Sequence, residues 1–180
     1  MNSHSQAWLG FPHVFGSTGT PVSAIIPAYN EAASIGDVLD ALLPVAQLSQ
    51  ILVVDDGSDD DTADIVRSHC AVDPRVRLIR LAQNGGKAQA MLTGAAHAHN
   101  DVVLFLDADL VALQPEHLRA LIRPVAAGES EMAIALFAGW AAPTGWPPKI
   151  TALLTGPRCL TWSPFSDTPR FPHAGRLIDA

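Results

Sequence analysis

Three short runs, VSAII (22–26), ILVV (51–54) and VVLFL (102–106), contain a single polar residue between them, and each precedes a segment with helical apolar spacing. A strand with one wet face alternates in polarity. One buried on both faces does not, so these runs belong in a parallel sheet covered by helices on each side. The segments between them agree. Ile35, Val38, Leu39, Leu42 and Leu43 predict a helix from about Glu31 to Val45, and Ile65 and Val66 a shorter one over Asp61 to Cys70. VRLIRL (76–81) predicts a third strand, and Ala88, Met91, Leu92, Ala95 and Ala96 give one face of a helix that starts near Lys87. Pro115 suits a first helical turn ahead of Leu118, Leu121, Ile122 and Val125, and MAIALF (132–137) predicts a fifth strand. This βαβαβαβαβ order implies a three-layer α/β/α fold with a mainly parallel sheet.

A chain of 180 residues with 48% hydrophobic and 16% charged residues suits one domain with a substantial core. A formal charge of −7 argues against a nucleic-acid partner, which needs a basic stripe. Cys70 and Cys159 make neither a C-x-x-C pair nor a disulfide framework, and are expected as inert thiols in a reducing cytoplasm. Residues 1–20 are read as a flexible lead-in without the order of charges and apolar residues of a secretory signal. No apolar run reaches the roughly 20 residues that a membrane-spanning helix needs. The expected location is cytoplasmic, with any membrane association peripheral.

Right-handed crossovers place the carboxyl ends of parallel strands along one edge. PAYNE (27–31), DDGSDD (55–60), AQNGGK (82–87) and DADL (107–110) therefore share the rim where open α/β sheets bind ligands. In extended backbone Asp107 and Asp109 would share a face, with Ala108 leaving room between them. Two carboxylates aimed at one point suit a hard divalent ion, Mg2+ or Mn2+; the alternative is a solvated surface turn. Asp55 and Asp56 end a buried strand, where a carboxylate can accept a ligand N–H, while Ser58 or Asp59 would cap the next helix. Gly85 and Gly86 allow close backbone approach, and Lys87 opens a helix whose N–H groups suit a phosphate; a turn with a solvated lysine fits equally. His97 and His99 lie two apart on a helix and face different directions, which argues against a metal pair.

VSAIIPAYNEAASIGDVL, ILVVDDGSDDDTADI, NGGKAQAMLTGAAHA and DVVLFLDADL resemble, in order and spacing, the family 2 glycosyltransferases of GT-A (Rossmann-like) fold, including dolichol-phosphate mannosyltransferase-like enzymes. The resemblance covers about residues 22–137 and implies a site for a UDP- or GDP-sugar. By matching position, Pro27, Ala28, Tyr29 and Glu31 would line base and ribose, with Val54, Asp55 and Asp56 on the base side. Gly86 and Lys87 would meet the nucleotide, and Asp107 and Asp109, with the backbone of Ala108, would hold the metal on the diphosphate. The implied reaction is sugar transfer with inversion.

The expected organisation is a nucleotide-sugar-binding domain over 21–138, then a shortened acceptor-side segment and irregular tail over 139–180. LTGPR (154–158) resembles the acceptor-side segment of relatives that glycosylate phosphorylated acceptors, so Arg158 would bind an acceptor phosphate, unless it is a solvated turn. No catalytic base is assigned; Asp167 and His173 are the candidates in the tail. A shortened domain would leave apolar surface uncovered, which makes a homodimer an expectation. Two other classes compete: a nucleotide-sugar-binding remnant without turnover, and a phosphorylatable receiver domain. The receiver order is wrong here, because Lys87 precedes Asp107 and a further strand precedes the acidic pair.

Overall fold

A computed structural model describes residues 19–135 and 157–162. Four βα units come first: β1 (Val22–Ala28), α1 (Ile35–Leu42), β2 (Leu48–Asp55), α2 (Thr62–Val72), β3 (Val76–Arg80), α3 (Lys87–Ala96), β4 (Val102–Phe105) and α4 (Pro115–Ala126). Two short strands, β5 (Met132–Ile134) and β6 (Arg158–Thr161), complete a six-stranded sheet of order β3-β2-β1-β4-β6-β5. β1 to β4 are parallel, while β6 runs antiparallel between β4 and β5. The fold is therefore the expected α/β/α type with a mainly parallel sheet.

Strand residues alternate between two cores. Val22, Ala24, Ile26, Ile51, Val53, Val102 and Leu104 face one side with Ile35, Leu39, Val66, Leu118 and Ile122 of α1, α2 and α4. Ile25, Leu52, Val54, Val103 and Phe105 face the other side against Ala90 and Ala95 of α3. Both faces of β1, β2 and β4 are thus dry, which is why their sequences run apolar without a break. Among the described residues, no helix is long and apolar enough to cross a membrane.

Several expectations are corrected. α1 starts at Ile35 rather than Glu31, because Glu31 to Ser34 form a turn in which Ser34 and Ile35 donate to the Glu31 carbonyl. α3 packs through Ala90, Gly94 and Ala95, leaving Ala88 and Leu92 exposed. Small residues win that face because helix and sheet touch closely: a Cβ on Gly94 would lie 2.4 Å from Ile25 Cγ2. β6 has no counterpart in the expected succession; its two buried residues, Cys159 and Leu160, are too short a run to read as a strand. Arg158, one of the turn candidates, is a strand residue paired with Phe105 and Ile134.

At the amino ends of the strands a buried polar set closes the sheet. Ser23 Oγ donates to Gln50 Oε1 at 2.7 Å, the same oxygen receives the His99 N–H at 3.0 Å, and Gln50 Nε2 donates to the His97 carbonyl at 3.0 Å. The two histidines follow α3, which ends at Ala96, rather than lying on a helix as expected, and they serve the turn before β4.

Candidate active site

At the carboxyl ends of the strands the first loop leaves β1 through Asn30, whose φ of 56° is left-handed. Asparagine tolerates that region, and its side chain is used as well: Asn30 Oδ1 accepts the Asp59 N–H at 2.9 Å. In return the Asn30 and Glu31 N–H groups donate to Ser58 Oγ and Thr62 Oγ1, and the Ala32 N–H donates to Asp60 Oδ2. The acidic segment after β2 thus clamps the loop that carries Tyr29 and Glu31. Asp60 also accepts the Thr62 N–H at 3.0 Å. Burial opposes its charge, but the hydrogen bonds from Thr62 and Ala32 together outweigh this and hold its carboxyl below the ordinary range. The N-cap of α2 is Asp61, whose side chain makes no capping hydrogen bond; the Thr62 N–H goes to Asp60 instead, and neither Ser58 nor Asp59 caps the helix.

Asp55 and Asp56 part company. Asp55 is fully buried; its Oδ1 accepts the Ser58 N–H at 2.9 Å, and its Oδ2 lies 3.1 Å from Arg80 Nε, off the hydrogen-bond axis. Arg80 Nη2 also donates to the Ser58 carbonyl at 2.7 Å. Asp56, also buried, turns toward the glycine turn: its Oδ1 accepts the Gly85 N–H and its Oδ2 the Gly86 N–H, each at 2.8 Å. Between strand and turn, Gly57 has φ 77°, and a Cβ there would lie 2.9 Å from the Asn84 nitrogen, so only glycine fits. The Gly85 and Gly86 N–H groups are thereby engaged by Asp56.

Lys87, the first residue of α3, reaches across the cleft, with Nζ 2.6 Å from Asp107 Oδ1. The strand before Asp107 ends at Phe105; Leu106 still donates to the Ile25 carbonyl, and residues 107–110 then leave the sheet as a turn. The alternation argument for Asp107 and Asp109 therefore does not apply. A turn achieves the same end: both carboxylates line one cleft with Ala108, whose side is buried.

That cleft has a volume of about 280 Å³ and is walled by Pro27, Ala28, Tyr29 and Glu31 from β1 and its loop, by Asp56 from β2, and by Asn84, Gly86, Lys87 and Ala90 around the start of α3. Asp107, Ala108 and Asp109 close it. Ten residues named from the sequence are thereby brought together, whereas Val54 and Asp55 stand behind the wall, one packed against α3 and the other held by Arg80. Asn84 and Ala90 were missed. Asn84 had a signal, since an asparagine before two glycines supports a turn by bonding its own backbone; its Oδ1 accepts the Gly86 N–H at 3.0 Å. Ala90 carries no polar group to mark it.

Asp107 and Asp109 supply hard oxygen donors, and among the described residues no cluster of three or more ligating side chains forms. Two carboxylates without a protein cage fit Mg2+ or Mn2+, which keep waters and substrate phosphates as further ligands. Burial raises the pKa of both thiols and pushes that of Cys159 up to about 12. Asp167, His173 and nearly all of the expected lead-in lie outside the described residues.

The family model for Glycosyl transferase family 2 matches residues 23–169. The chain is 33% identical over 108 residues to a dolichyl-phosphate beta-glucosyltransferase of Trichomonas vaginalis, covering 55% of this chain and 32% of the relative. It is 29% identical over 130 residues to the glucosyl-3-phosphoglycerate synthase of Mycobacterium tuberculosis, covering 70% of this chain and 40% of that protein. The chain thus spans 32% to 40% of the length of these relatives. The synthase solved with phosphoglyceric acid superposes with a TM-score of 0.66 at 24% identity, covering 79% of this chain and 57% of that one. The same synthase solved with Mn2+, UDP-glucose and phosphoglyceric acid gives a TM-score of 0.64 at 23% identity, covering 79% and 56%. These likenesses establish the same GT-A layering of sheet and helices.

Proposed function

This chain belongs to glycosyl transferase family 2, and we propose that it acts in metal-dependent transfer of a sugar, with inversion, from a UDP- or GDP-sugar to a phosphorylated or lipid-phosphate acceptor. The observation that carries the reading is the convergence of Tyr29, Asp56, Lys87, Asp107 and Asp109, delivered by the ends of β1, β2 and β4 and the start of α3, on one cleft. A nucleotide sugar has matching parts in sequence: an aromatic base with N–H donors, a ribose, a diphosphate and a sugar.

Pro27, Ala28 and Tyr29 form an apolar wall suited to a base, and Glu31 offers a carboxylate to ribose hydroxyls. Asp56, held by the glycine turn, keeps lone pairs free to accept from the base. Lys87 supplies a positive charge for the diphosphate. Asp107 and Asp109 would hold Mg2+ or Mn2+, which when bound stabilises the negative charge left on the departing diphosphate. A lipid-phosphate acceptor enters already anionic and needs no general base, whereas an acceptor that attacks through a hydroxyl needs one. The names of the relatives, one acting on dolichyl phosphate and one making glucosyl-3-phosphoglycerate, favour an acceptor that carries a phosphate. Asp167 and Arg158 remain the proposed tail-side contributors.

Calorimetry with UDP-glucose and GDP-mannose, with and without Mn2+, tests the donor half, and sugar transfer to glycerol phosphates or polyprenyl phosphate tests the acceptor half. Metal-dependent binding and transfer are expected. Binding that ignores the metal contradicts the proposal, and tight binding without transfer favours a donor-binding protein that does not turn over.

A further inference from the structure

Lys87 and Asp107 belong to different elements, yet their charged atoms are 2.6 Å apart. Asp107 is 18% exposed and forms part of the cleft wall; Lys87 is 51% exposed and reaches it by a long flexible stem. Asp109, two residues on, is exposed and has no ion pair among the described residues. One of the two proposed metal ligands is therefore already neutralised by a cation of the chain itself, and the other is not.

We propose that Lys87 is an exchangeable counter-ion of Asp107 that makes cation binding and diphosphate binding depend on each other; the inference rests on the donor-site reading above. A divalent ion arriving alone must displace an ammonium from Asp107 Oδ1 or sit beside it. A nucleoside diphosphate offers that ammonium a second anionic partner within the same cleft, and only side-chain torsions separate the two positions. When Lys87 turns to the diphosphate, the Asp107 oxygen is released to the cation. Pairs this exposed are weak, so exchange is easy. By linkage the effect is reciprocal: whatever factor UDP adds to Mn2+ affinity, Mn2+ adds to UDP affinity. The arrangement favours joint loading over loading of bare metal.

The test measures Mn2+ binding by electron paramagnetic resonance, which counts free ion, and UDP binding by calorimetry, each alone and with the other present, for wild type and Lys87→Met. Lys87 is half-exposed at a helix start, so the variant is expected to fold. Lys87→Met is expected to bind Mn2+ alone about two- to fivefold tighter, in line with the worth of an exposed pair. It should bind UDP more weakly, and show a smaller ratio between Mn2+ affinities with and without UDP. Wild type that loads Mn2+ and UDP together, beside a variant with unchanged Mn2+ affinity or an unchanged ratio, overturns the counter-ion role and leaves the donor reading standing. Wild type that never loads the two together overturns both.

Discussion

Asp56 Oδ2 accepts the backbone N–H of Gly86 at 2.8 Å, and its other oxygen does the same for Gly85. A buried side chain at the end of β2 thereby sets where α3 begins, and with it where Lys87 stands. Asp56→Asn replaces one accepting oxygen with an N–H2 group that faces a backbone donor. Hydrogen bonds to a charged group are worth about 1.5–3 kcal/mol, so the melting temperature should fall by several degrees and UDP affinity at least tenfold. Thermal unfolding and calorimetry check this; an unchanged pair of values contradicts the positioning role.

Gly94 is the contact point between α3 and the sheet. Alanine would gain about 1 kcal/mol in helix propensity, but its Cβ would stand 2.4 Å from Ile25 Cγ2 and 3.2 Å from Val54 Cγ2. Overpacking of this kind costs about 1–3 kcal/mol, so Gly94→Ala is expected to lower the urea midpoint. Combining it with Ile25→Ala should cost less than the sum of the two changes, since the second removes the obstructing methyl.

Asp73 links the end of α2 to the α1–β2 connection through Arg75, which hydrogen-bonds the Asp73 carboxylate and the carbonyls of Leu43, Val45 and Leu48. The Arg75 guanidinium holds the Asp73 carboxyl below its ordinary 3.8. A depressed folded value means that the stabilisation is complete above about pH 4 and is lost as pH falls through the lower folded value. Unfolding measured from pH 5 to pH 2 should show a flatter decline for Asp73→Asn than for wild type. Parallel curves would contradict this.

Arg80 reaches a buried carboxylate from a half-exposed position, 3.1 Å from Asp55 Oδ2. Arg80→Met strips Asp55 of its counter-charge and the Ser58 carbonyl of a donor. Leaving buried polar groups unsatisfied costs about 1–3 kcal/mol. Chemical denaturation should register a loss of that size, and no loss would contradict a stabilising role for the Arg80–Asp55 contact.

The parts of the fold legible in the sequence are those fixed by two-sided burial. VSAII, ILVV and VVLFL lie where both sheet faces are covered, and their carboxyl ends delivered the rim segments to one cleft. β6 was not legible, because a four-residue antiparallel strand with half-buried ends has no pattern to separate it from a loop. The face of α3 was misjudged because alanine and glycine packing carries little hydrophobic signal, while Leu92 carries much and is exposed. The division of labour between Asp55 and Asp56 was also hidden. It depends on Arg80 and Gly86, residues distant in sequence that only the register of β2 with β3 and the turn before α3 bring near.

The most direct test of the central claim is Mn2+-dependent UDP binding by wild type and Asp109→Ala, read by calorimetry. Asp109 is exposed, so its loss should leave the fold unchanged. Wild type is expected to bind UDP markedly tighter when Mn2+ is present, and Asp109→Ala to lose that enhancement while still binding UDP weakly through Tyr29 and Lys87. An Asp109→Ala variant whose UDP affinity rises with Mn2+ as much as wild type would contradict the assignment of this cleft as a metal–diphosphate site.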